Sequence, residues 1–349
     1  MAAVGASCEA DGISFRLRDA DRRLTGVRLQ QHAGVAGDLE FSYHPGHRAW
    51  ELRVPRPAVH RLEYRLELRH PDGRTETVCD PDNPRRVPGA FGDSSVLWCP
   101  GYSEPDWLRL PAAAGRWREL KLPLPPVSAH VVARIWSPET PTDRVLVAHD
   151  GPDYDRYGGL SRYTATMIRA GRVPPYHLVL LPADDRMEWY SASPAYARAL
   201  AGAALPRLRD ELGTDRPVVG AGASLGGLAM LHAQRRHPEA FAGLLLQSGS
   251  FFQPRHDRQE SGFRRYLRIV RFTGRVLRAT EGPAVPTVLT CGTGEENLAN
   301  NRDMATALKA QEYPATLVEV PDAHTWIGWR DALDPHLSDL LRRVWPAQR

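Results

Sequence analysis

Lysine is almost missing from this chain: of its 45 basic Lys and Arg residues, only Lys121 and Lys309 are lysine. Arginine, alanine, proline and glycine share GC-rich codons, so the formal charge of +4 follows composition rather than a polyanion site. No contiguous basic stripe with interleaved aromatics appears, and nucleic-acid binding is not expected. Cysteine is scarce too. Cys8, Cys79, Cys99 and Cys291 form no CxxC and no paired spacing, which indicates neither a zinc site nor a disulfide framework. No metal is expected. A run of about 18 apolar residues is also lacking, which argues against a membrane span. The start, MAAVGASCEADGISF, has no basic stretch leading into an apolar one, so no signal peptide is expected. Internal repeats are absent. The expectation left standing is a soluble, reduced, cytoplasmic protein.

What is present is enough apolar residue (42% of 349) to build cores, and a length that suggests about two domains. In HRLEYRLELRHPDGRTETV, Leu62, Tyr64, Leu66 and Leu68 alternate with Arg61, Glu63, Arg65, Glu67 and Arg69. Period two with one apolar face predicts a half-buried strand. Asp72-Gly73 then predicts a hairpin turn at positive φ. DLEFSYH and AWELRV are expected partner strands, so residues 1–105 read as a small β-sandwich with its own core. Such a domain should fold apart, leaving a chain that starts near 110 with its own activity. Residues 106–128, rich in Pro, Gly and Trp, read as a connector. From 129 to 349 the pattern changes. HVVARIW, DRVLVAH, YHLVLLP, RPVVGAG, FAGLLLQ, PTVLTCG and ATLVEVP are short apolar runs, most of them nearly continuous, as in strands covered on both faces. Helical stretches such as SPAYARALAGAALPRLRDEL and NRDMATALKAQE lie between them. Strand and helix in alternation predict an α/β domain with a mainly parallel sheet.

Within it, Gly222-Ala223-Ser224-Leu225-Gly226 fits G-x-S-x-G between a strand and a helix. In a nucleophile elbow the serine sits in a cramped turn, so the residues two before and two after must lack bulk. Ser224 is therefore the candidate nucleophile. The α/β-hydrolase order then requires an acid and a histidine after later strands. Glu295 follows PTVLTCG and His324 follows ATLVEVP, with Glu296 a rival acid. Asp322 lies too close to His324 along the chain to be the first choice. His232 and His237 fall on the helix after Ser224 and read as packing or capping, and His149 reads as a wall residue. The Leu225 N–H is the expected first oxyanion donor, and the loop His149-Asp150-Gly151-Pro152-Asp153 the source of a second, at Gly151 or Asp153 because Pro152 has no N–H.

Ser224-Leu-Gly-Gly-Leu-Ala, His237-Pro-Glu-Ala-Phe241, Gln247-Ser-Gly-Ser-Phe-Phe252 and His324-Thr-Trp-Ile-Gly-Trp329-Arg330 resemble the enterochelin (enterobactin) esterase family. Arg186-Met-Glu188-Trp-Tyr resembles another of its segments. Trp50, Asp80-Pro-Asp-Asn83 and Phe91-Gly-Asp-Ser-Ser95 are similar to its immunoglobulin-like, early-set first domain. The resemblance implies a cytoplasmic serine esterase of the α/β-hydrolase fold that needs no cofactor. It also implies an ester partner of siderophore type, ferric or iron-free, and substrate contacts at Arg186, Trp189 and Trp326. A general carboxylesterase, an acyltransferase and a catalytically retired binding protein are the alternatives. Between Ser250 and Pro283, eight arginines beginning at Arg255 stand against Asp257, Glu260 and Glu281. They read either as a solvated helix face or as a cationic lid in which Arg255 meets an anionic substrate.

Overall fold

The computed structural model describes residues 5–35, 37–90 and 92–346. Phe91 and the first four residues, part of the start read for a signal peptide, lie outside them. The chain divides into two compact units. The first takes the residues up to Ser103 together with two later stretches, 292–295 and 320–328. The second holds Glu104–Cys291, Glu296–Glu319 and the residues from Trp329 onward.

In the first unit two antiparallel sheets enclose an apolar core. One runs in the order Ser7–Cys8, Gly12–Arg18, Ala49–Pro55, Ser42–His44. The other runs Gly26–Gln31, Arg61–Arg69, Ser94–Trp98, Arg86–Val87, with Thr75–Val78 also paired to Arg61–Arg69. Leu62, Tyr64 and Leu66 point into that core beside Ile13, Phe15 and Leu29, as period two requires. The hairpin after Arg69 closes with Gly73 at φ +84, while the Asp72 carboxylate accepts from the Arg74 N–H. Only the glycine of that pair needs the left-handed region.

Two expectations fail here. Cys8 and Cys99 are joined as a disulfide across 91 residues of sequence. No spacing signals such a pair, because tertiary folding alone brings the Ser7–Cys8 strand beside the Ser94–Trp98 strand. Disulfides persist mainly in oxidising compartments, which pulls against a reduced, cytoplasmic chain. Arg61 also departs from the alternation. Its side chain is 1% exposed, because the 320–328 stretch covers that face of the strand.

An eight-stranded sheet organises the remainder, in the order Gly115–Leu124, Ala129–Pro138, His177–Leu181, Val145–His149, Val218–Ala223, Phe241–Gln247, Thr287–Gly292, Ala315–Val320. The first two pairings are antiparallel, and those from His177–Leu181 through Thr287–Gly292 are parallel. This is the mixed sheet of an α/β-hydrolase. Every residue of Val145–His149 and Val218–Ala223 is buried, as continuous apolar runs imply. The 106–128 stretch is no simple connector. Its Gly115–Leu124 segment is the edge strand, burying Leu120, Leu122 and Leu124 between exposed Glu119, Lys121 and Pro123. Pro123 is tolerated there because an edge strand need not donate on its open side. The long helical stretch after Ser193 is interrupted by a wider turn at Leu200–Ala204, just ahead of Pro206, whose missing N–H cannot join an α-ladder. Among the described residues, no helix is long and apolar enough to cross a membrane.

Candidate active site

The buried strand Val218–Ala223 runs into Ser224, and the helix Leu225–Arg236 starts one residue later. Ser224 has φ +56 and ψ −122. A serine in that region costs on the order of 1–3 kcal/mol and persists only where its surroundings force it. Those surroundings are evident. The Ser224 N–H donates to the Gln247 carbonyl at 2.8 Å, and its own carbonyl accepts from Leu228 and from Ser250, both at 3.2 Å. Its Oγ lies 3.1 Å from the Ser250 Oγ. The two flanking glycines of the motif prove unequal. A Cβ on Gly222 would stand 2.4 Å from the Gly226 backbone, whereas one on Gly226 would first meet the His149 Cβ at 3.2 Å.

Leu225 is the first residue of its helix, so its N–H has no intrahelical acceptor and is available to an anion. The loop after Val145–His149 turns at Asp150, at φ +50, into the helix Gly151–Gly158. Gly151 is compulsory for a packing reason, since its Cβ would lie 2.3 Å from the Leu180 Cα. Pro152 occupies the first turn without an N–H, leaving Gly151 and Asp153 as the loop's donors. Asp150 holds Arg186 through contacts of 2.8 and 2.9 Å, so that arginine's charge is already paired, though its side chain stays 37% exposed. His149 is fully buried. Its Nδ1 donates to the Gly226 carbonyl at 3.0 Å, and its Nε2 accepts from the Tyr196 hydroxyl at 2.9 Å. Burial pushes it down to about 4, so it is neutral at pH 7 and builds the wall beside Gly226. His232 is likewise pushed down to about 3 by burial and packs edge-on against Phe272.

In the first unit, His324 Nδ1 lies 2.8 Å from Glu295 Oε2. Glu295 Oε1 accepts from the Gly292 N–H at 2.8 Å, which ties the carboxylate to its own loop. The rival Glu296 belongs to the second unit and accepts from Gln259. Asp322 has a partner of its own. It takes the fork of Arg61 at 3.0 and 3.1 Å. Ser224, Glu295 and His324 each follow a strand of the eight-stranded sheet, in the order the fold demands.

The expected substrate contacts are placed less uniformly. Trp189 is 5% exposed and stacks on Tyr196 within the core, so packing accounts for it. Trp326 opens the short helix Trp326–Asp331 and is half-buried. Arg255 is tied to Asp303 at 2.6 Å, and His256 shares the same carboxylate. The expected cationic lid is half neutralised: Arg255, Arg264, Arg265 and Arg268 of the eight arginines have carboxylate partners. Arg265 and Arg268 grip Glu188, and Arg264 lies near both Asp185 and Glu188. Arg258, Arg271, Arg275 and Arg278 remain exposed, and among the described residues none has a carboxylate within ion-pair distance. Sequence reasoning missed Arg61 and Ser250. The first looks like a solvent-facing strand charge, and the second has no motif of its own.

Residues 118–340 match the family described as putative esterase. Among solved structures, the enterobactin esterase from Shigella flexneri, determined in the presence of enterobactin, is 20% identical with a TM-score of 0.76 over 98% of this chain and 96% of that one. Ferric enterobactin esterase from Salmonella typhimurium is 20% identical with a TM-score of 0.77 over 97% of this chain and 96% of that one. A ferulic acid esterase is 15% identical with a TM-score of 0.55, over 66% of this chain and 99% of that one. At such identities the likeness is one of fold. No curated protein sequence matches this chain.

Proposed function

The chain belongs to the putative esterase family, and from that premise we propose that it is a serine ester hydrolase working through an acyl-enzyme. The observation that carries the reading is Ser224 itself, held at φ +56 between a buried strand and a helix. Packing alone gives no reason to keep a strained hydroxyl where glycine would relax the turn. In the proposed mechanism Ser224 Oγ attacks the ester carbonyl carbon while His324 Nε2 takes its proton. The carbonyl electron pair moves to oxygen, where the Leu225 N–H and an N–H of the 151–153 loop receive the charge. Collapse expels the alkoxide, which His324 protonates. Water then attacks the acyl carbon with His324 as base, releasing the acid and restoring Ser224. Glu295, 2.8 Å from Nδ1, keeps the proton on that nitrogen and stabilises the imidazolium. No cofactor enters these steps.

For substrate we propose a catecholate trilactone of siderophore type, with ferric iron as cargo rather than cofactor. The support is extent: likeness to the enterobactin esterases runs over 98% of this chain, against 66% for the ferulic acid esterase. The two-sheet unit is then the immunoglobulin-like domain of such enzymes. A cytoplasmic location belongs to the same proposal, and it requires the Cys8–Cys99 bond to resist reduction or to open there. A panel of p-nitrophenyl butyrate, a feruloyl ester, and iron-free and ferric catecholate trilactones tests the reading. The highest kcat/KM is expected on a trilactone. Turnover of simple esters alone would replace it with a general carboxylesterase, and no turnover at all would leave a retired binding protein.

A further inference from the structure

We propose that Arg61, a residue of the β-sandwich, is a positioning residue for His324. The inference rests on the reading of His324 as the catalytic base. Arg61 is 1% exposed and lies 261 residues before Asp322. Its Nε donates to Asp322 Oδ2 at 3.1 Å and its Nη2 to Asp322 Oδ1 at 3.0 Å. The same Nη2 donates to the Thr325 hydroxyl at 2.6 Å, and Nη1 donates to Glu63 at 2.6 Å. One guanidinium therefore holds the residue two before His324 and the residue one after it. Further bonds tie down the same stretch. The His60 N–H donates to the Pro321 carbonyl at 2.7 Å, Asp322 Oδ1 accepts from the Ala323 N–H at 2.7 Å, and the Thr325 hydroxyl accepts from Gly328 at 3.0 Å. The acid's loop is sewn to it by the Gly294 N–H on the Asp322 carbonyl at 3.1 Å.

A buried ion pair is a poor way to gain stability, since well-packed apolar residues of similar volume often serve as well or better. A planar fork of fixed donors does something apolar packing does not: it sets angle as well as distance. Here the fork fixes the backbone that carries the histidine ring, which is itself 33% exposed and needs a firm base. The sandwich thereby becomes part of the acid–base apparatus. The expectation that a chain starting near 110 keeps its activity meets a physical objection, because such a chain strands the buried Asp322 carboxylate.

The test uses the full chain and counts active sites, so that loss of fold and loss of position separate. Arg61→Lys, Arg61→Met and Asp322→Asn are compared with Leu66→Ala, which weakens the sandwich core away from the His324 loop. Ser224 is titrated to completion with a fluorophosphonate, and kcat and KM on p-nitrophenyl butyrate are expressed per titrated site. Displacement of a catalytic group by about 1 Å costs on the order of 10²-fold in rate, so kcat per site should fall by about that factor in both Arg61 variants. KM should stay within about twofold, as for a group acting only in the chemical step. Leu66→Ala should melt lower and keep its kcat per site. Arg61 variants that behave like Leu66→Ala would overturn the proposal. Asp322→Asn, close to isosteric, carries the test if both Arg61 variants are lost to the unfolded state. His324→Ala run in parallel guards the premise: full activity there removes the role of His324, whereas an inactive His324→Ala beside unimpaired Arg61 variants removes only the role of Arg61.

Discussion

Adding one methyl group to either glycine of the serine motif should have very different results. A Cβ on Gly222 would lie 2.4 Å from both the carbonyl carbon and oxygen of Gly226, and 2.8 Å from the Gly227 nitrogen. Ordinary carbon contacts need about 3.5–4.0 Å, so the strand and the first helical turn must part by about 1 Å. Nothing flexible stands there to yield, because the three nearest atoms are all backbone. Overpacking of this kind costs about 1–3 kcal/mol, and a shift of about 1 Å at the reacting groups costs on the order of 10²-fold in rate. The displaced turn is the one that carries the Leu225 N–H. A Cβ on Gly226 meets the His149 Cβ at 3.2 Å, Asp150 Oδ2 at 3.5 Å and the Tyr190 ring at 3.9 Å, all side-chain atoms. Alanine is also favoured over glycine inside a helix by about 1 kcal/mol, which offsets that mild crowding. Gly222→Ala should therefore lose about 10²-fold in kcat and melt lower. Gly226→Ala should melt near the parent temperature and stay within about threefold in rate. Thermal melts and p-nitrophenyl ester kinetics on both variants decide it. Equal damage from the two, or greater damage at Gly226, would refute the account of the elbow.

Glu295→Gln should cut kcat by about 10²–10⁴-fold with little change in KM, because the bond to His324 tightens as imidazolium forms. Glu296→Gln should be mild, and the reverse pattern would transfer the role. Acid should also destabilise the protein through its buried histidines. The folded His149 is depressed to about 4 from 6.5, so the unfolded chain binds more protons between those values, and stability present above 6.5 drains away as pH falls. From pH 6.5 to 5 that is about 2 kcal/mol, and His149→Gln should flatten the fall of melting temperature over the window. An unchanged slope would show that His149 is not buried neutral.

Local pattern carried much of this fold. Seven apolar runs became seven strands of the large sheet, and the five from Val145–His149 through Thr287–Gly292 are nearly continuous because a strand covered on both faces must be apolar at almost every position. The elbow was legible for a similar reason, since a strained turn restricts its neighbours to small residues. What stayed hidden depends on distance along the chain. Arg61 reads as an exposed charge by period two, and only the 320–328 stretch, more than 250 residues later, makes it buried. Cys8 and Cys99 have no spacing rule to announce them. Gly115–Leu124 was readable in its alternating Leu120, Leu122 and Leu124, but the surrounding prolines drew it toward a connector. The arginines after Ser250 read as a solvated face or a lid, and the partners of four of them, Asp185, Glu188 and Asp303, come from other segments.

The central claim is that Ser224 is an activated nucleophile. Intact-mass and peptide mapping after treatment with a fluorophosphonate measures this most directly. One adduct per chain, on Ser224, absent from Ser224→Ala and strongly slowed in His324→Ala, is the predicted result. An adduct on Ser248 or Ser250, or none on the folded protein, would contradict it.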